Sequence, residues 1–239
     1  MKAERVSLTP GYLLHQHAWR ETSRILEIWS REQGRIGLVA RGVRRPRSPH
    51  RSLLQSFAPL LLSWTQRTEL GNLTGAESGG SPIPLRGRPL MAAFYMNELL
   101  LRLLPRQDSH PVLYDRYAVT LRALIEPKPA AALRLFEKHL LDALGYGLNL
   151  TRALPGDKPV EAEGQYLYDL ESGPRALGGR RASGLLVGGR MLLALHAEAL
   201  DDAEDLRAAK RLLRAALERH LDGRALKSAV VMRALSKGV

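Results

Sequence analysis

The first 77 residues show the short alternation of β-strands rather than the longer period of helices. Along residues 35–41 every second side chain is apolar, so Ile36, Leu38 and Ala40 are expected to face inwards and the two flanking arginines outwards. Similar short runs predict four more strands, near residues 12–15, 24–31, 58–64 and 68–74. Five strands so close together indicate a small closed barrel. An OB-fold is the candidate, because that barrel often binds oligonucleotides.

A segment rich in glycine and proline, residues 78–89, predicts a domain boundary. Beyond it the apolar period predicts helices at 90–104, 111–126, 130–144, 191–195 and 203–221. Within the less regular stretch 151–189, residues 165–170 are expected to form one arm of a hairpin. The predicted architecture is α+β with two domains. Residues 1–79 form an N-terminal OB-fold β-barrel, and residues 80–239 form a mainly α-helical domain with a small irregular segment near 151–189.

Composition narrows the class of partner. The 239 residues carry a net charge of +12, which favours nucleic acid or another anionic surface. Cysteine is absent, which excludes disulfides, thiol catalysis and cysteine-ligated zinc. The most apolar run, residues 90–104, is shorter than the roughly 20 residues that span a bilayer. The N-terminus has no apolar stretch typical of a signal peptide, so the protein is expected to be soluble and cytoplasmic, without a membrane partner.

The strongest functional signal is a basic loop after the third predicted strand. Gly42, Pro46 and Pro49 keep this loop from forming a helix. It contains five cations and no acid: Arg41, Arg44, Arg45, Arg47 and Arg51. We expect these side chains, with Arg35 on the preceding strand, to bind phosphates; the alternative is a solvated loop that aids solubility. Phosphate contacts position a protein without distinguishing bases, so no sequence preference is expected.

Aromatic residues in the strand region offer a second kind of contact. Single-strand binders stack bases on exposed rings, which makes Trp19 and Trp29 candidates, with Phe57 a weaker one. The alternative is that these rings form the core of a small barrel.

Two sets of cations lie on predicted helices. One face of the last helix carries Arg207, Lys210, Arg211 and Arg214, either as a second DNA contact or as a solvated stripe. Arg134 and Lys138 lie four residues apart beside the apolar stripe of the third helix, an arrangement that suits an acidic, aromatic peptide. The alternative is a pair of surface cations. No catalytic triad, paired catalytic carboxylates or metal-ligand set is found, so no enzyme, cofactor or metal site is predicted.

Several segments together resemble the RecO family of bacterial DNA repair proteins. They keep the family's order and cover most of the chain: residues 19–23, 34–42, 54–60, 69–73, 97–100, 144–149 and 206–211. The resemblance implies an N-terminal OB-fold and a helical C-terminal domain. It implies a recombination mediator that binds single- and double-stranded DNA, anneals complementary strands, and works with RecR and the acidic C-terminal tail of single-stranded-DNA-binding protein. Such proteins help RecA load on coated DNA.

One feature departs from that family pattern. Some members bind zinc through cysteines after the third helix, and residues 151–156 contain none. A zinc site is therefore not expected. The function expected from the sequence is a non-enzymatic DNA-annealing mediator in the bacterial cytoplasm, associated with the nucleoid. Two alternatives stay open: a general RNA-binding OB-fold protein, and a metal-dependent nuclease.

Overall fold

The computed structural model describes residues 4–177, 184–221, 223, 225–228 and 231. Packing separates them into two compact units: the described parts of Met1–Ile125 with Leu226–Val239, and those of Glu126–Ala225. Part of the predicted irregular segment, residues 178–183, lies outside the described residues. The predicted boundary between an N-terminal domain ending at residue 79 and a second domain starting at residue 80 stays a prediction.

The first unit is built on five strands: β1 (Glu4–Trp19), β2 (Ser23–Ser30), β3 (Gly34–Ala40), β4 (Pro59–Gln66) and β5 (Leu70–Ser78). They pair in the order β1-β2-β3-β5-β4, and the barrel closes between β4 and β1. The β3–β5 pair is parallel, and the other four are antiparallel. Alternate apolar side chains such as Leu26, Ile28 and Leu38 fill the interior.

The first strand is much longer than its prediction. Residues 12–15 were expected, whereas β1 runs over Glu4–Trp19. Its register shifts between Val6 and Thr9 and again between Leu13 and His15. Each shift interrupts the two-residue period that identifies a strand, so the sequence pattern detects only the middle of β1.

Two helices, α1 (Gly87–Leu103) and α2 (Pro111–Ala123), cover part of the outer barrel wall. Trp29 is fully buried, with its ring centroid 5.3 Å from that of Tyr117 and 5.5 Å from that of Tyr114. The side-chain amide of Asn97 donates to the carbonyl of Leu14 at 2.9 Å and accepts from the Tyr117 hydroxyl at 2.6 Å. The stacking role considered for Trp29 is therefore wrong, because helical tyrosines occupy the space a base would need.

The connection between α1 and α2 lies against the start of β3. The amide of Gln107 donates to the carbonyl of Arg35 at 3.0 Å. Gly34 has a φ of +66°, and a Cβ there would lie 2.1 Å from the carbonyl oxygen of Asp108. Only glycine permits that approach. Arg31 adds a bidentate pair with Asp115 of α2, at 2.8 and 3.0 Å.

The second unit combines three helices with short strands. The helices are α3 (Pro129–Ala143), α4 (Gly189–His196) and α5 (Ala203–Arg219), and the strands are β6 (Arg152–Ala153), β7 (Lys158–Pro159), β8 (Gln165–Asp169), β9 (Gly173–Ala176) and β10 (Leu185–Gly188). The expected hairpin is confirmed, because β8 pairs with β9. Strand β10 pairs with the other edge of β8. The side chain of Asp202 caps α5 by accepting from the amides of Glu204 and Asp205.

Candidate nucleic-acid interface

The basic loop between β3 and β4 is anchored in the barrel core near both of its ends. Val43 is 2% exposed and Leu54 is 1% exposed, and both belong to the apolar cluster inside the barrel. The five predicted loop arginines are all exposed: Arg41, Arg44, Arg45, Arg47 and Arg51. The two buried side chains therefore fix both ends of a loop whose five arginines are exposed to solvent.

Successive turns give the loop a defined path. The amide of Arg45 donates to the carbonyl of Gly42, and that of Ser48 donates to the carbonyl of Arg45, both at 3.1 Å. The amide of Arg51 then donates to the carbonyl of Ser48 at 3.2 Å. Gly42 has a φ of +65°, a conformation that glycine adopts without strain. Because the fold already orders this loop, DNA binding costs little further conformational entropy.

Hydrogen bonds attach the loop to the β1–β2 hairpin. The amide of Arg44 donates to the carbonyl of Thr22 at 2.9 Å, and its guanidinium Nη1 donates to the carbonyl of Arg20 at 3.2 Å. The loop's returning half lies beside β1, where Leu13 and Ser56 form an isolated β-bridge. The loop and the hairpin turn therefore form one surface. One exposed acid, Glu21, lies in that turn.

Arg35 lies apart from this surface. It is the second residue of β3, six residues before Arg41, which is about 20 Å along an extended strand. Its side chain is 17% exposed, with Nη1 3.7 Å from a Glu27 carboxylate oxygen, and Arg106 also pairs with Glu27. Burial lowers the pKa of the Arg35 guanidinium, and Glu27 partly offsets that. A DNA-binding role for Arg35 stays a prediction.

Helix α5 presents the second predicted set of cations. All four side chains are exposed: Arg207, Lys210, Arg211 and Arg214. The opposite face, including Leu212, Leu213 and Leu217, is buried. The Nε of Arg214 donates to Glu218 at 2.7 Å, so its charge is partly neutralised. This geometry fits both a DNA contact and a solvated stripe.

The two cations proposed for an acidic peptide lie in different surroundings. Arg134 is buried on α3, and its Nη2 donates to the Glu137 carboxylate at 2.7 Å. Lys138 is more accessible and pairs with Asp142 at 3.3 Å and with Glu198 at 3.4 Å. Each cation thus already contacts a carboxylate within its own unit. A peptide carboxylate would have to displace one of these carboxylates or share the cation with it.

Across the described part of the chain, no group of three or more histidine, cysteine, aspartate or glutamate side chains is placed to hold a metal ion. Within the same residues, no helix is both long and apolar enough to cross a bilayer.

Comparison with known proteins decides the family. The model described as "Recombination protein O N terminal" matches residues 2–81, and the one described as "Recombination protein O C terminal" matches residues 86–229. The chain belongs to the RecO family. This is a family of DNA repair and recombination proteins, in agreement with the resemblance of the sequence segments.

Individual RecO relatives match over nearly their whole length. A protein from Nitrosococcus oceani named DNA repair protein RecO is 50% identical over 94% of this chain and 92% of its own. A protein of the same name from Alkalilimnicola ehrlichii is 46% identical over 99% of this chain and 95% of its own. One from Methylococcus capsulatus is 42% identical over 97% and 95%, respectively.

Sequence reasoning found the arginines of the loop but missed what positions them. Val43 at one end and the pair Leu53–Leu54 at the other are the apolar residues that flank a polar, proline-containing segment. Such an arrangement is a usable signal, since apolar side chains flanking a loop tend to be its anchors. The hydrogen bonds from Arg44 to Arg20 and Thr22 could not be predicted from the sequence, because their acceptors are backbone carbonyls, which every residue has.

Proposed function

We propose that this RecO family member is a recombination mediator that binds single- and double-stranded DNA and anneals complementary strands. The observation that carries the proposal is the anchored loop, with five exposed arginines in 11 consecutive residues and no acid among them. Each arginine can neutralise one phosphate and release its counterions, which favours binding whatever the base sequence.

The barrel topology supports the proposal. A five-stranded barrel with a parallel β3–β5 contact and the order β1-β2-β3-β5-β4 favours assignment to the OB-fold. OB-folds bind oligonucleotides along the outer face of strands 2 and 3 and with neighbouring loops. The basic loop directly follows β3, so it lies where such a barrel would present cations to a strand.

Annealing by this surface requires no catalytic group. Two DNA strands repel each other, and a cationic surface that holds both lowers that repulsion and raises their local concentration. Base pairing then selects the partner strand. We therefore propose a protein without enzymatic activity or cofactor, acting on DNA in the cytoplasm.

The proposed partners are RecR and the acidic C-terminal tail of single-stranded-DNA-binding protein, with RecA assisted indirectly. For the tail we propose Lys138, whose side chain is 14% exposed, as the outer contact and Arg134 as a deeper one. The Lys138 ammonium can donate hydrogen bonds to a peptide carboxylate in exchange for those that it makes to Asp142 or Glu198. For RecR we propose no contact residues.

Fluorescence annealing of two complementary oligonucleotides tests the proposal. The protein is expected to speed annealing at low salt, and an Arg45→Glu/Arg47→Glu variant is expected to lose most of that effect while keeping its far-ultraviolet circular dichroism. The matched control is Arg116→Glu/Arg122→Glu on the exposed face of α2. Equal annealing rates with and without the protein would contradict the proposal.

The same samples separate the two alternatives. Stronger binding to a structured RNA than to either DNA strand would favour a general RNA-binding protein. Loss of full-length DNA after incubation with magnesium or manganese would favour a nuclease.

A further inference from the structure

The three tryptophans of the chain occupy very different surroundings. Trp29 is 0% exposed and Trp64 is 1% exposed, whereas Trp19 is 42% exposed. Trp19 is the last residue of β1, next to the turn that leads into β2. A large ring that is 42% exposed at the end of a strand has gained only part of the free energy of burial that its size allows.

Strand register shows which face carries this ring. Leu26 and Ile28 of β2 lie in the barrel core, so the residues that alternate with them face outwards. His15 pairs with Glu27, His17 with Ile25 and Trp19 with Ser23, and directly paired residues share a face.

His15, His17 and Trp19 therefore follow one another along the outer wall of β1. We call these three residues the ring row. The His15 and His17 rings lie with their centroids 6.3 Å apart and their planes 30° from parallel. All three residues are exposed.

The basic loop borders the ring row at its tryptophan end. Arg44 bonds to the carbonyls of Arg20 and Thr22, the first and third residues after Trp19. On β3, Val39 pairs with Ile25 and so faces outwards, and the two-residue period places Arg41 on the same face just beyond the strand. Exposed rings and phosphate-binding cations thus lie side by side.

We propose that Trp19 stacks on a base of single-stranded DNA whose phosphates are held by the basic loop, with His17 beneath the next base. The inference rests on the proposed DNA binding and extends it to a preference for single strands at this site. Every base has a flat aromatic face, so stacking adds affinity without reading sequence. Within a duplex those faces are covered by neighbouring base pairs, so a ring on the protein surface does not reach them.

Intrinsic fluorescence tests the proposal, because Trp19 is the exposed one of three tryptophans. Titration with a thymidine oligonucleotide is expected to quench the solvent-exposed part of the emission, and Trp19→Phe is expected to remove that quenching. Trp19→Ala should weaken single-strand binding by about tenfold, the size of one base–aromatic stack. Trp19→Phe should keep most of the affinity. Affinity for a duplex of the same length should change less than twofold.

Two controls identify the cause of any loss of single-strand affinity in Trp19→Ala. The salt dependence of binding should be the same in Trp19→Ala as in the original protein, since no charge is removed. Tyr146→Ala, which removes an aromatic side chain 49% exposed in the second unit, should leave single-strand affinity unchanged.

Three outcomes would overturn the inference, and they differ in what they say about the proposed function. Unchanged single-strand affinity in folded Trp19→Ala would reject stacking while leaving DNA binding in place. Equal losses for single strand and duplex would show that Trp19 supports the loop rather than a base. Absence of single-strand binding by the original protein would reject both proposals.

Discussion

The guanidinium of Arg44 donates a hydrogen bond to the backbone carbonyl of Arg20, 3.2 Å away, across the gap between the basic loop and the β1–β2 turn. Arg44 therefore differs from the other loop arginines, since it fixes the loop as well as adding charge. A carbonyl oxygen is a polar but uncharged partner, so the guanidinium keeps its full charge for a phosphate.

This difference predicts unequal effects of two single substitutions. Arg44→Ala should weaken binding to a single-stranded oligonucleotide more than Arg47→Ala, because it removes one cation and one attachment of the loop. Fluorescence anisotropy at low salt measures both. Arg44→Lys is the control, since it keeps the charge without the planar fork of donors. An affinity of Arg44→Ala equal to or above that of Arg47→Ala would argue against a fixing role.

Leu54 provides a test of the buried anchor. Leu54→Ala should lower the free energy of unfolding by about 2–5 kcal/mol, because it leaves a cavity in a packed core. It should also weaken oligonucleotide binding, although Leu54 is 1% exposed and cannot contact DNA itself. Urea unfolding and anisotropy measure the two effects. Leu53→Ala is the neighbouring control, since Leu53 is only half-buried. Normal oligonucleotide binding by a destabilised Leu54→Ala variant would show that DNA binding does not depend on the buried Leu54 side chain.

Glu98 predicts a pH-dependent contribution to stability. Its carboxylate accepts from the amides of Lys227 and Ser228, both at 2.9 Å, and from the Ser228 hydroxyl at 2.7 Å. Burial raises the pKa of Glu98, but these hydrogen bonds and Arg102 outweigh burial and leave it below the usual 4.5. A depressed carboxyl pKa stabilises the fold above the unfolded value, and that stabilisation is lost as pH falls through the folded value.

Glu98→Gln should therefore lower the free energy of unfolding at neutral pH by about 1.5–3 kcal/mol, the range for hydrogen bonds to charged groups. The difference from the original protein should shrink as the pH falls below about 4.5. Urea unfolding at a series of pH values checks both expectations. A difference that stays constant down to acid pH would contradict the role assigned to the carboxylate.

The strands that the sequence predicted well are those with an uninterrupted period. Strands β2 and β3 pair residue by residue, and each expected bound differs from the observed one by a single residue. The two shifts within β1 hid its true length. Trp29 was ambiguous for a different reason: its burial depends on tyrosines about 85 positions further along the chain. No local pattern around Trp29 contains that information.

In the candidate site too, some features were visible in the local sequence and others depend on the fold. Charge density alone identified the loop arginines, whereas their attachment to Arg20 and Thr22 depends on the fold. For Arg134, the sequence showed a glutamate three residues later but not that both side chains are buried. Spacing along a helix indicates which residues meet, and burial depends on what packs over them.

Burial of Arg134 changes what its substitution should do. Arg134→Ala should destabilise the second unit by about 3–5 kcal/mol, because it removes the cation from a buried ion pair. Lys138→Ala should cost less, since Lys138 pairs with half-exposed Asp142 and Glu198. Titration with a labelled acidic peptide ending in phenylalanine should show weaker binding to Lys138→Ala and no change in oligonucleotide affinity. Unchanged peptide affinity would remove Lys138 from the proposed peptide site.

The dependence of single-strand affinity on salt tests most directly whether the anchored loop is the DNA interface. If about six phosphates are neutralised, the slope of log affinity against log salt should be about −4. Arg45→Ala/Arg47→Ala/Arg51→Ala should make that slope shallower by about two, since three phosphate contacts are lost. A matched triple on α5, Arg207→Ala/Lys210→Ala/Arg211→Ala, removes the same net charge and should change the slope less. An unchanged slope in a folded loop triple, with a shallower one in the α5 triple, would contradict the account.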